Sequence, residues 1–415
     1  MAEDDFKDTE IGRIPKEWKI TNLSQVGKVQ SGGNAPQGDN YFLDGKYPFI
    51  RVQHFDGSKR YVYKFDLIND EAIRDYGLKL YPAGSIIFPK SGASINLEKK
   101  AMLFVDSYVV SHLAIVVPKR SVIDEMFLFY YLKTVELKSM GKGSTLPYLN
   151  LSIIANIPIP IPPINEQTRI AYVLSTIQNA IEIQDKMIEA LQKLKKSMMH
   201  KLFTEGIGHT EFKDTEIGRI PKEWTVKELK EITSVRKVTI TPKEFANLPY
   251  VGLEHISSGK IYLKKSDDNS LVRSNKFRFY KGDVLYGKLR PYLDKAAIAN
   301  FNGICSTDVL VVKTSEMISP QFIAFLMHLN TFVKLATNTM EGTNHPRTSW
   351  ESISKFKIGL PLFAEQKSII EILNSIEIKI AKESDLMRSL ENLFKTILNK
   401  LMIGHIRVKD LVIPA

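Results

Sequence analysis

The stretch FKDTEIGRIPKEW, at Phe6–Trp18, occurs again without a change at Phe212–Trp224. The two copies then diverge, and they become similar again where Gly143–Gln167 aligns with Gly342–Gln366 at a constant offset of 199 residues. A repeat this long exceeds the unit of a solenoid, so the sequence predicts a duplicated domain that is followed each time by a connector.

A third correspondence concerns the end of the chain. IGHTEFKD at Ile207–Asp214 is similar to IGHIRVKD at Ile403–Asp410, so the second copy ends in a version of the segment that introduces it. This order predicts a pseudo-cyclic, pseudo-two-fold arrangement in which the two termini of the chain lie side by side.

Long connectors with helical periodicity follow the two copies. Residues 164–204 contain neither Pro nor Gly and are rich in Gln, Glu, Lys, Leu, Ile and Met, most of which favour helix. Pro163 and Pro361 precede the connectors, Glu166 and Glu365 suit the helix dipole in the first turn, and Gly206 and Gly404 are expected stops. Each connector therefore predicts a helix of about 40 residues and about 60 Å.

Apolar residues in both connectors recur at alternating steps of four and three, which is the seam of a coiled coil. We expect the two helices to pair as an antiparallel coiled coil with one polar layer. Packing of each helix on its own domain is the alternative, but a globular helix usually has a wider apolar face. Lys195 also falls on the seam, at the position that Phe394 fills in the second copy. The expected helix–helix interface comprises Ile170, Leu174, Ile177, Ile181, Gln184, Ile188, Leu191, Met198, Leu202, Ile369, Leu373, Ile376, Ile380, Glu383, Met387, Leu390, Phe394, Ile397 and Leu401.

Both diverged segments, 21–139 and 226–340, have the pattern of an α/β fold with short strands. The predicted fold class is α/β, with two similar globular α/β domains joined by the two long helices. Expected strands cover 48–52, 84–88, 113–117, 249–253, 282–286 and 309–312, and expected helices cover 127–137 and 322–335. The predicted boundaries are 1–163 and 206–361 for the two domains, 164–205 for the first helix, and 362–415 for the second helix and a tail that returns to the N-terminus.

The composition is that of a globular protein with an excess of basic residues. The 415 residues include 57 Lys and Arg against 46 Asp and Glu, which gives a net charge of +11 and a pI near 9.3. This excess favours a polyanionic partner such as nucleic acid, although many unrelated proteins are as basic.

Cysteine and histidine usage limits the possible chemistry. The single cysteine, Cys305, excludes an internal disulfide and a Cys-based zinc site, and it fits the reducing cytoplasm, where we expect the chain to reside. The eight histidines lack metal-ligand spacing, so neither a metal nor a cofactor is expected. The acidic residues 1–8 do not form a signal peptide, and no apolar stretch is long enough to predict a membrane span.

Loops rich in Gly, Ser, Asn and basic residues lie between the expected strands, at 30–41, 89–100, 234–243 and 287–295. Loops on a rigid scaffold commonly carry recognition residues, and DNA is bound through Lys, Arg and polar side chains. The candidate DNA contacts of the first domain are Arg51, Gln53, His54, Lys59, Arg60, Lys90, Ser91 and Asn96. Those of the second domain are Arg236, Lys237, Glu254, His255, Lys260, Lys276, Lys288, Arg290 and Tyr292. Each of them is also explained by an ordinary solvated surface residue. Lys288, Arg290 and Tyr292 are favoured because they lie two apart in one loop after a strand.

Five features together resemble the DNA-specificity subunits of type I restriction–modification enzymes. They are the I-G-x-I-P-x-x-W motif at Ile11 and Ile217, the strand and loop GDVLYGKLRPYLDKAA at Gly282–Ala297, the G-[ST]-x-x-P segment at Gly143 and Gly342, the P-[PL]-x-x-E-Q helix start at Pro162 and Pro361, and the long helix that follows. Each feature is weak alone, but the set covers nearly the whole chain in the right order, twice.

The resemblance implies two target-recognition domains, each reading one half of an interrupted site in double-stranded DNA, with the helices as the spacer. It also implies docking of two adenine methyltransferase subunits and of motor-nuclease subunits. A rigid spacer fixes which half-site spacings can be bound together. One departure from symmetry, His345-Pro346-Arg347 against Leu146-Pro147-Tyr148, predicts different contacts near this loop in the two copies.

Catalytic motifs are missing from the sequence, so the chain is predicted not to be an enzyme. The nearest match to a methyltransferase [N/D]-P-P-[Y/F] motif, Asn247-Leu248-Pro249-Tyr250, has Leu for the first Pro, and Lys142-Gly143-Ser144 lacks the first Gly of a phosphate-binding loop. A short acidic nuclease site is the remaining catalytic alternative. A coiled-coil scaffold that binds proteins rather than DNA is the alternative from another class, and its affinity would not show the steep salt dependence of DNA binding.

Overall fold

A computed structural model describes residues 5–140, 147–241, 248–263, 265–268 and 274–413 of the chain. Outside these ranges lie residues 142–146, which include the first G-[ST]-x-x segment, Lys243 of the loop expected at 234–243, and Asn247. The chain divides into two compact units, Met1–Lys186 with Ser384–Ala415, and Met187–Glu383. Each unit contains one globular domain together with part of both long helices.

The helices of the described residues include two that are far longer than the others. In chain order the helices are α1 Leu23–Val26, α2 Asp70–Tyr76, α3 Glu125–Thr134, α4 Leu137–Met140, α5 Leu151–Ala155, α6 Ile164–Thr204, α7 Leu229–Ile232, α8 Pro320–Met327, α9 Asn330–Asn338, α10 Trp350–Ile353 and α11 Phe363–Met402. The two long helices, α6 and α11, are therefore confirmed. In the described part of the chain, no helix is long and apolar enough to cross a membrane.

The strands are short, and each unit has its own set. The first unit contains β1 Phe6–Thr9, β2 Gly12–Pro15, β3 Lys19–Asn22, β4 Gly27–Ser31, β5 Tyr47–Ile50, β6 Tyr61–Val62, β7 Asp66–Ile68, β8 Leu80–Tyr81, β9 Ile86–Pro89, β10 Ala101–Leu103, β11 Ser107–Val109, β12 Leu113–Pro118 and β13 Pro158–Ile161. The second unit contains β14 Phe212–Thr215, β15 Gly218–Pro221, β16 Thr225–Glu228, β17 Thr233–Val235, β18 Thr239–Ile240, β19 Tyr250–Val251, β20 Lys276–Phe279, β21 Val284–Gly287, β22 Ala296–Ile298, β23 Gly303–Cys305, β24 Val309–Thr314 and β25 Lys357–Leu360.

Two sheets form the framework of each domain. In the first unit their orders are β4-β12-β9-β10-β6 and β7-β5-β11-β8, and in the second they are β17-β24-β21-β22 and β18-β20-β23-β19. The central strand β12 is buried on both faces. Ala114 and Val116 pack with the helices, whereas Leu113 and Ile115 pack with the second sheet. This alternation follows from the two-residue period of a strand, and it explains why the strand has a continuous apolar run.

The expected α/β class and the six expected strands are confirmed, although the strand at 249–253 is only Tyr250–Val251, and both expected helices require correction. The helix expected at 127–137 ends at Thr134, because Val135 is extended, and α4 begins at Leu137. The structure divides the helix expected at 322–335 into α8 and α9. His328 ends α8, and its ring lies 2.6 Å from the Asp294 carboxylate and 3.0 Å from the Ala296 carbonyl oxygen. These contacts stabilise the end of α8, and they come from Asp294 and Ala296, which are distant in the sequence.

The thirteen-residue repeat forms the same β-hairpin in both units. β1 pairs with β2 and β14 with β15 in the same register, so that Thr9 faces Gly12 and Thr215 faces Gly218. Gly12 and Gly218 have φ values of 99° and 102°, a left-handed region that favours glycine, and this requirement explains the Gly in each copy of the motif.

A tryptophan and the E-Q pair at the helix start join each hairpin to a long helix. The buried Trp18 donates its indole N–H to Glu166 (3.2 Å), and Trp224 donates to Glu365 (2.8 Å). The glutamine that follows each of these glutamates, Gln167 or Gln366, is also buried. Gln366 donates to the Pro361 carbonyl and accepts the N–H of Ser319. The tryptophan and the E-Q pair, which occur in both copies, therefore fix where each long helix begins.

The C-terminal tail packs beside the N-terminal hairpin in the first unit, as the repeat order predicted. The rings of Phe6 and His405 lie 5.7 Å apart in an edge-to-face contact. Arg407 donates to both oxygens of Glu166 at 2.7 Å and also pairs with Glu17. These hydrogen bonds raise the pKa of Arg407 further above its already high value.

The long helices run antiparallel inside each unit. In the first unit, Ile170 and Leu174 near the start of α6 share a core with Leu398 and Leu401 near the end of α11. In the second unit the roles are reversed, since the end of α6 and the start of α11 share a core. All the expected seam residues are buried or half-buried, with the half-buried ones concentrated in the middle of each helix. The helices therefore pack against each other, as preferred from the sequence, and their ends also pack on the domain cores, which was the alternative.

Candidate nucleic-acid interface

Several loops of the first unit converge at one end of its five-stranded sheet. The antiparallel register places Leu113, at the start of β12, opposite Pro89, at the end of β9, and places Ala114 opposite Ser31 at the end of β4. The residues that follow β4 and β9 and those that precede β12 therefore share this end. The turn after β5 joins them, because Val110 donates its N–H to the Ile50 carbonyl.

The second unit repeats this convergence. Gly287 at the end of β21 pairs with Val309 at the start of β24, and Lys288 donates its N–H to the Asp308 carbonyl. The turn after β19 lies beside the same end, since Ser306 donates its N–H to Val251. Each domain thus presents a cluster of loops at one end of a rigid sheet, which is a common arrangement for recognition.

The proline that ends the G-[ST]-x-x-P segment and the residue two positions after it bind the loop after β9 in the first unit and the loop after β21 in the second. In the first unit, Gly92 donates its N–H to Pro147 (2.9 Å) and Leu149 donates to Lys90 (2.8 Å). In the second, Arg290 donates to Pro346 (2.9 Å) and Thr348 donates to Lys288 (3.0 Å). These matched contacts make Lys90 and Lys288, and also Gly92 and Arg290, structurally equivalent positions.

The side chains at this end differ between the units, as the departure from symmetry predicted. The Lys90 ammonium lies 4.8 Å from the centre of the Tyr148 ring, whereas Arg347, at the position of Tyr148, forms a two-pronged ion pair with Asp308. Ser91 shares a hydrogen bond of 2.8 Å with His112. The same backbone frame therefore carries two different sets of polar groups.

Arg290 has a backbone conformation that is unusual for its side chain. Its φ and ψ are 51° and 61°, in the left-handed region, whereas Gly92 at the equivalent position has a φ of 76° and a ψ of −176°, a different conformation that also has positive φ. A non-glycine residue in this region costs about 1–2 kcal/mol, and such strain is concentrated at functional sites. The Arg290 side chain is exposed, and it has no hydrogen-bond or ion-pair partner in the described ranges.

Other candidates at this end are also open to solvent. Asn96 and Tyr292 are exposed at equivalent positions of the two loops, Lys288 is half-buried, and Lys237 is exposed in the loop after β17. Lys90 is buried against Tyr148. The candidates that the fold brings to this end of a sheet are therefore Ser91, Arg290, Asn96, Tyr292, Lys288, Lys237 and Lys90.

Two histidines of the candidate set close tight turns. His54 Nδ1 accepts the N–H of Arg51 (3.0 Å), and His255 Nδ1 accepts the N–H of Gly252 (2.9 Å). In both turns Nε2 faces an aspartate, Asp66 at 3.5 Å or Asp267 at 3.3 Å. Burial lowers the pKa of His54 and outweighs the opposite effect of Asp66. Gln53 and Glu254, each just before the histidine of its turn, are exposed to solvent.

Glu254, His255 and Asp267 place three potential metal ligands within 4.8 Å of one another. However, Nδ1 of His255, the nitrogen nearer Glu254, accepts a backbone N–H, so the ring proton is on Nε2, the nitrogen that faces Asp267. A protonated nitrogen is not a metal ligand. Because His54 makes the same contacts beside Arg51, the cluster is better explained as a turn clasp present in both copies.

Three basic candidates lie at the junctions between a domain and a long helix. In the first junction, Lys59 lies 3.6 Å from Asp185, and Arg60 donates to Asn179 (2.5 Å). In the second, Lys260 pairs with Glu377 at 3.0 Å. Sequence alone predicted these residues from their charge, but the fold gives them partners on the helices, so they do not enter the interface proposed below.

Two further basic candidates are bound within the second domain. Arg236 makes a two-pronged ion pair with Asp283 (3.1 and 3.2 Å) and lies over the ring of Tyr280. Lys276 is buried, and it donates to the hydroxyl of Ser274 at 2.5 Å. Burial lowers the pKa of Lys276. Both residues have structural partners, so we also leave them out of the proposed interface.

Comparisons with known proteins agree with this architecture. The family model described as the type I restriction modification DNA specificity domain matches residues 15–193 and 221–392, once in each half of the chain. A type I restriction enzyme specificity subunit of Methanocaldococcus jannaschii is 31% identical, over 99% of this chain and 97% of the relative. The EcoDI specificity subunit of Escherichia coli is 25% identical over 95% of this chain and 90% of the relative.

Solved structures support the same fold. The crystal structure of a type I restriction–modification S subunit from M. genitalium has a TM-score of 0.55 at 17% identity, covering 93% of this chain and 96% of that one. A chain from a study of complex assembly and conformational transition of the type I restriction–modification system has a TM-score of 0.56 at 14% identity, covering 95% and 99%. The resemblance seen in the sequence is thereby confirmed, and the chain belongs to the type I restriction–modification DNA specificity family, as a specificity subunit and not a catalytic one.

Proposed function

We propose that each globular domain reads one half of an interrupted site in double-stranded DNA through the loops at the end of its sheet. The first domain would use Ser91 and Asn96, since Lys90 is buried against Tyr148, and the second would use Lys237, Lys288, Arg290 and Tyr292. The observation that carries this proposal is the pair of equivalent positions Gly92 and Arg290. The same backbone hydrogen bonds frame this position in both domains, yet the second domain places an arginine in the left-handed region where the first has glycine.

Arginine suits this task because its guanidinium can donate two hydrogen bonds to the O6 and N7 atoms of guanine. The lysines suit phosphate contacts, which position the protein without reading sequence. Two domains with different side chains on one frame are expected to read different half-sites, which makes the whole site asymmetric.

The helices α6 and α11 are proposed to set the gap between the half-sites and to dock two adenine methyltransferase subunits, with motor-nuclease subunits joining in the complete complex. The length and antiparallel packing of the helices support the spacer role. The docking roles rest on the family alone. A protein that acts on chromosomal DNA in such a complex is expected in the cytoplasm.

The first test compares the genomic positions of 6-methyladenine in the host with and without this gene. We expect methylation to disappear at one interrupted, asymmetric motif. Loss at a continuous motif would contradict two separate readers. Unchanged methylation would show that the chain does not direct modification in this host.

The spacer role has its own test. Deleting one heptad from each helix together, residues 186–192 and 385–391, shortens each helix by about 10 Å. At about 3.4 Å per base pair, the gap in the methylated motif should shrink by about three base pairs while both half-sites stay the same. A change in the half-site bases, with the gap kept, would contradict the spacer role.

A further inference from the structure

An exposed leucine occupies the same place in the loop that follows β9 in the first domain and the loop that follows β21 in the second. Leu97 is 60% exposed and Leu293 is 42% exposed. Each ends a short 3-10 turn, Ala93–Leu97 or Pro291–Leu293, and an acidic residue in the left-handed conformation follows it, Glu98 or Asp294. A single exposed apolar side chain is common on a protein surface, but these two recur at equivalent positions within the loop cluster proposed to face DNA.

In the first unit, the acidic residue fixes the leucine by binding back into the domain. The Glu98 carboxylate accepts the N–H groups of Leu137 (3.0 Å) and Lys138 (2.8 Å), and it pairs with the buried Lys100 at 3.0 Å. Burial would raise the pKa of Glu98, but these hydrogen bonds and the lysine together outweigh it and lower the pKa. The carboxylate therefore stays charged, and the loop stays anchored, across the physiological range.

In the second unit a different anchor gives the same result. The Asp294 carboxylate lies 2.6 Å from the buried ring of His328, and the Asp294 carbonyl accepts the N–H of Gly259 at 2.9 Å. The partners are different in kind from Glu98's, and yet the leucine before the acidic residue is projected from an equally restrained turn. Two unrelated anchors that preserve one exposed side chain indicate that this side chain has a task.

The task must be common to both half-sites, because the residues beside the leucines differ. Asn96 precedes Leu97, whereas Tyr292 precedes Leu293. A contact with a thymine methyl group would be part of the sequence code, and it would be expected to change with the half-site. Insertion between base pairs does not depend on sequence in this way, and apolar side chains such as Leu are used for it.

We propose that Leu97 and Leu293 are wedges, each of which inserts between base pairs of its own half-site and unstacks the DNA there. This inference rests on the proposed function and deepens it. An enzyme that modifies a base must take that base out of the stack, so a wedge on the specificity subunit would lower the cost of exposing the target adenine to a methyltransferase.

The test uses the native complex isolated through a tag on this chain, with duplexes of the motif found by methylation mapping. The fluorescent adenine analogue 2-aminopurine, which is quenched by stacking, replaces the methylated adenine in one half-site at a time. The wild type should brighten the probe in both halves. Leu97→Ala should remove most of the rise in one half only, and Leu293→Ala should remove it in the other half only.

Matched controls lie at the opposite end of the same central strands. Val122 and Met317 occupy equivalent positions, each just before a buried isoleucine, and are 44% and 52% exposed. Val122→Ala and Met317→Ala should leave both signals unchanged, and Leu97→Met and Leu293→Met should retain them. Leu97→Ser and Leu293→Ser provide a second pair of truncations that suits an exposed position.

The wedge proposal is overturned if the complex binds its interrupted motif but the alanine and serine variants keep the full fluorescence rise. It is also overturned if the wild type binds without any rise, or if a variant keeps the rise and loses discrimination at one base pair. Failure of the proposed function would be seen separately, as the lack of an interrupted motif in the first place.

Discussion

The junctions between domain and helix carry the same contact in the two units, but with the partners exchanged. In the first unit, Lys133 of α3 lies 5.7 Å from the ring centre of Phe394 on α11 and donates to the Gly57 carbonyl at 3.4 Å. The lysine comes from the domain, and the aromatic ring comes from the long helix.

In the second unit the lysine comes from the helix. Lys195 of α6, which aligns with Phe394, lies 6.0 Å from the ring centre of Phe325 on α8 and donates to the Gly259 carbonyl at 2.9 Å. A duplicated frame can therefore keep a lysine, a ring and a carbonyl together while different elements supply the lysine and the ring.

The junctions differ in whether a carboxylate balances the lysine. Glu377 pairs with Lys195 and Lys260, whereas Gln178, 199 residues earlier, donates its amide N–H to the Ser58 carbonyl at 3.2 Å. Burial would raise the pKa of Glu377, but the two lysines outweigh it and lower the pKa.

Lys133 has no carboxylate within ion-pair distance in the described part of the chain. Burial, with a smaller contribution from the charge of Lys100, lowers the pKa of Lys133 to about 8. A carboxylate therefore lies beside the buried lysine in the second unit, whereas the equivalent position in the first unit holds a neutral amide.

The largest effect is expected from Glu377→Ala. Removing one partner of a buried ion pair leaves Lys195 uncompensated, so the second unit should lose about 3–5 kcal/mol of stability. Hydrogen exchange of peptides from each unit measures this loss locally. The matched change Gln178→Ala removes a neutral hydrogen bond and should cost the first unit about 1 kcal/mol.

Equal losses in the two units would contradict the claim that the junctions differ in charge balance. The double change Lys195→Met with Glu377→Gln tests whether the loss in Glu377→Ala comes from leaving the Lys195 charge unpaired. Only the more exposed Lys260 then lacks its partner, so most of the stability lost in Glu377→Ala should return.

Acid should expose the same difference. The pKa of Glu377 is lowered in the folded state, so its contribution is complete above the unfolded value near 4.5 and is lost as pH falls through the folded pKa. Urea unfolding of the wild type and of Glu377→Gln between pH 3 and pH 7 measures this. The stability gap between them should close as pH falls below about 4.5. A gap that stays constant with pH would contradict a charged Glu377.

A smaller effect of the opposite sign is expected at Lys133. Lys133→Met should stabilise the first unit by about 1 kcal/mol at pH 7, because no buried charge remains. The pKa of Lys133 falls from 10.5 to about 8 on folding, so the unfolded wild type binds more protons between these values, and wild-type stability rises with pH there. The advantage of Lys133→Met should therefore shrink between pH 8 and pH 10.5.

The exposed Lys59→Met is the matched control, and it should change stability little at any pH. An advantage of Lys133→Met that is independent of pH would point to improved packing rather than to relief of a buried charge.

Periodicity and repetition predicted most of the fold. The seam of α6 and α11 and the strands around Ile86 and Val309 follow from local patterns, which determine local structure. The joint at Trp18 was not predictable in the same way. Sequence placed Glu166 in a first helical turn, where it suits the helix dipole, but the indole and the guanidinium that bind it are distant in the chain.

The candidate site was less predictable than the fold, because charge does not identify a partner. Lys59, Arg60 and Lys260 are as basic as Lys288 and Arg290, yet the fold places the first three against the helices. The leucine positions gave no sequence signal at all, since an apolar residue in a loop is ordinarily assigned to the core. Only the equivalence of the two units distinguishes them.

Arg290→Ala tests the central claim most directly, through the methylated motif of a host that carries it. If each domain reads its own half-site, one half should become relaxed or lost, while the other half and the gap stay unchanged. Lys119→Ala, at the opposite end of the first domain's sheet, should leave the motif as it is. A uniform fall in methylation with the motif unchanged, or altered bases in both halves, would contradict the account.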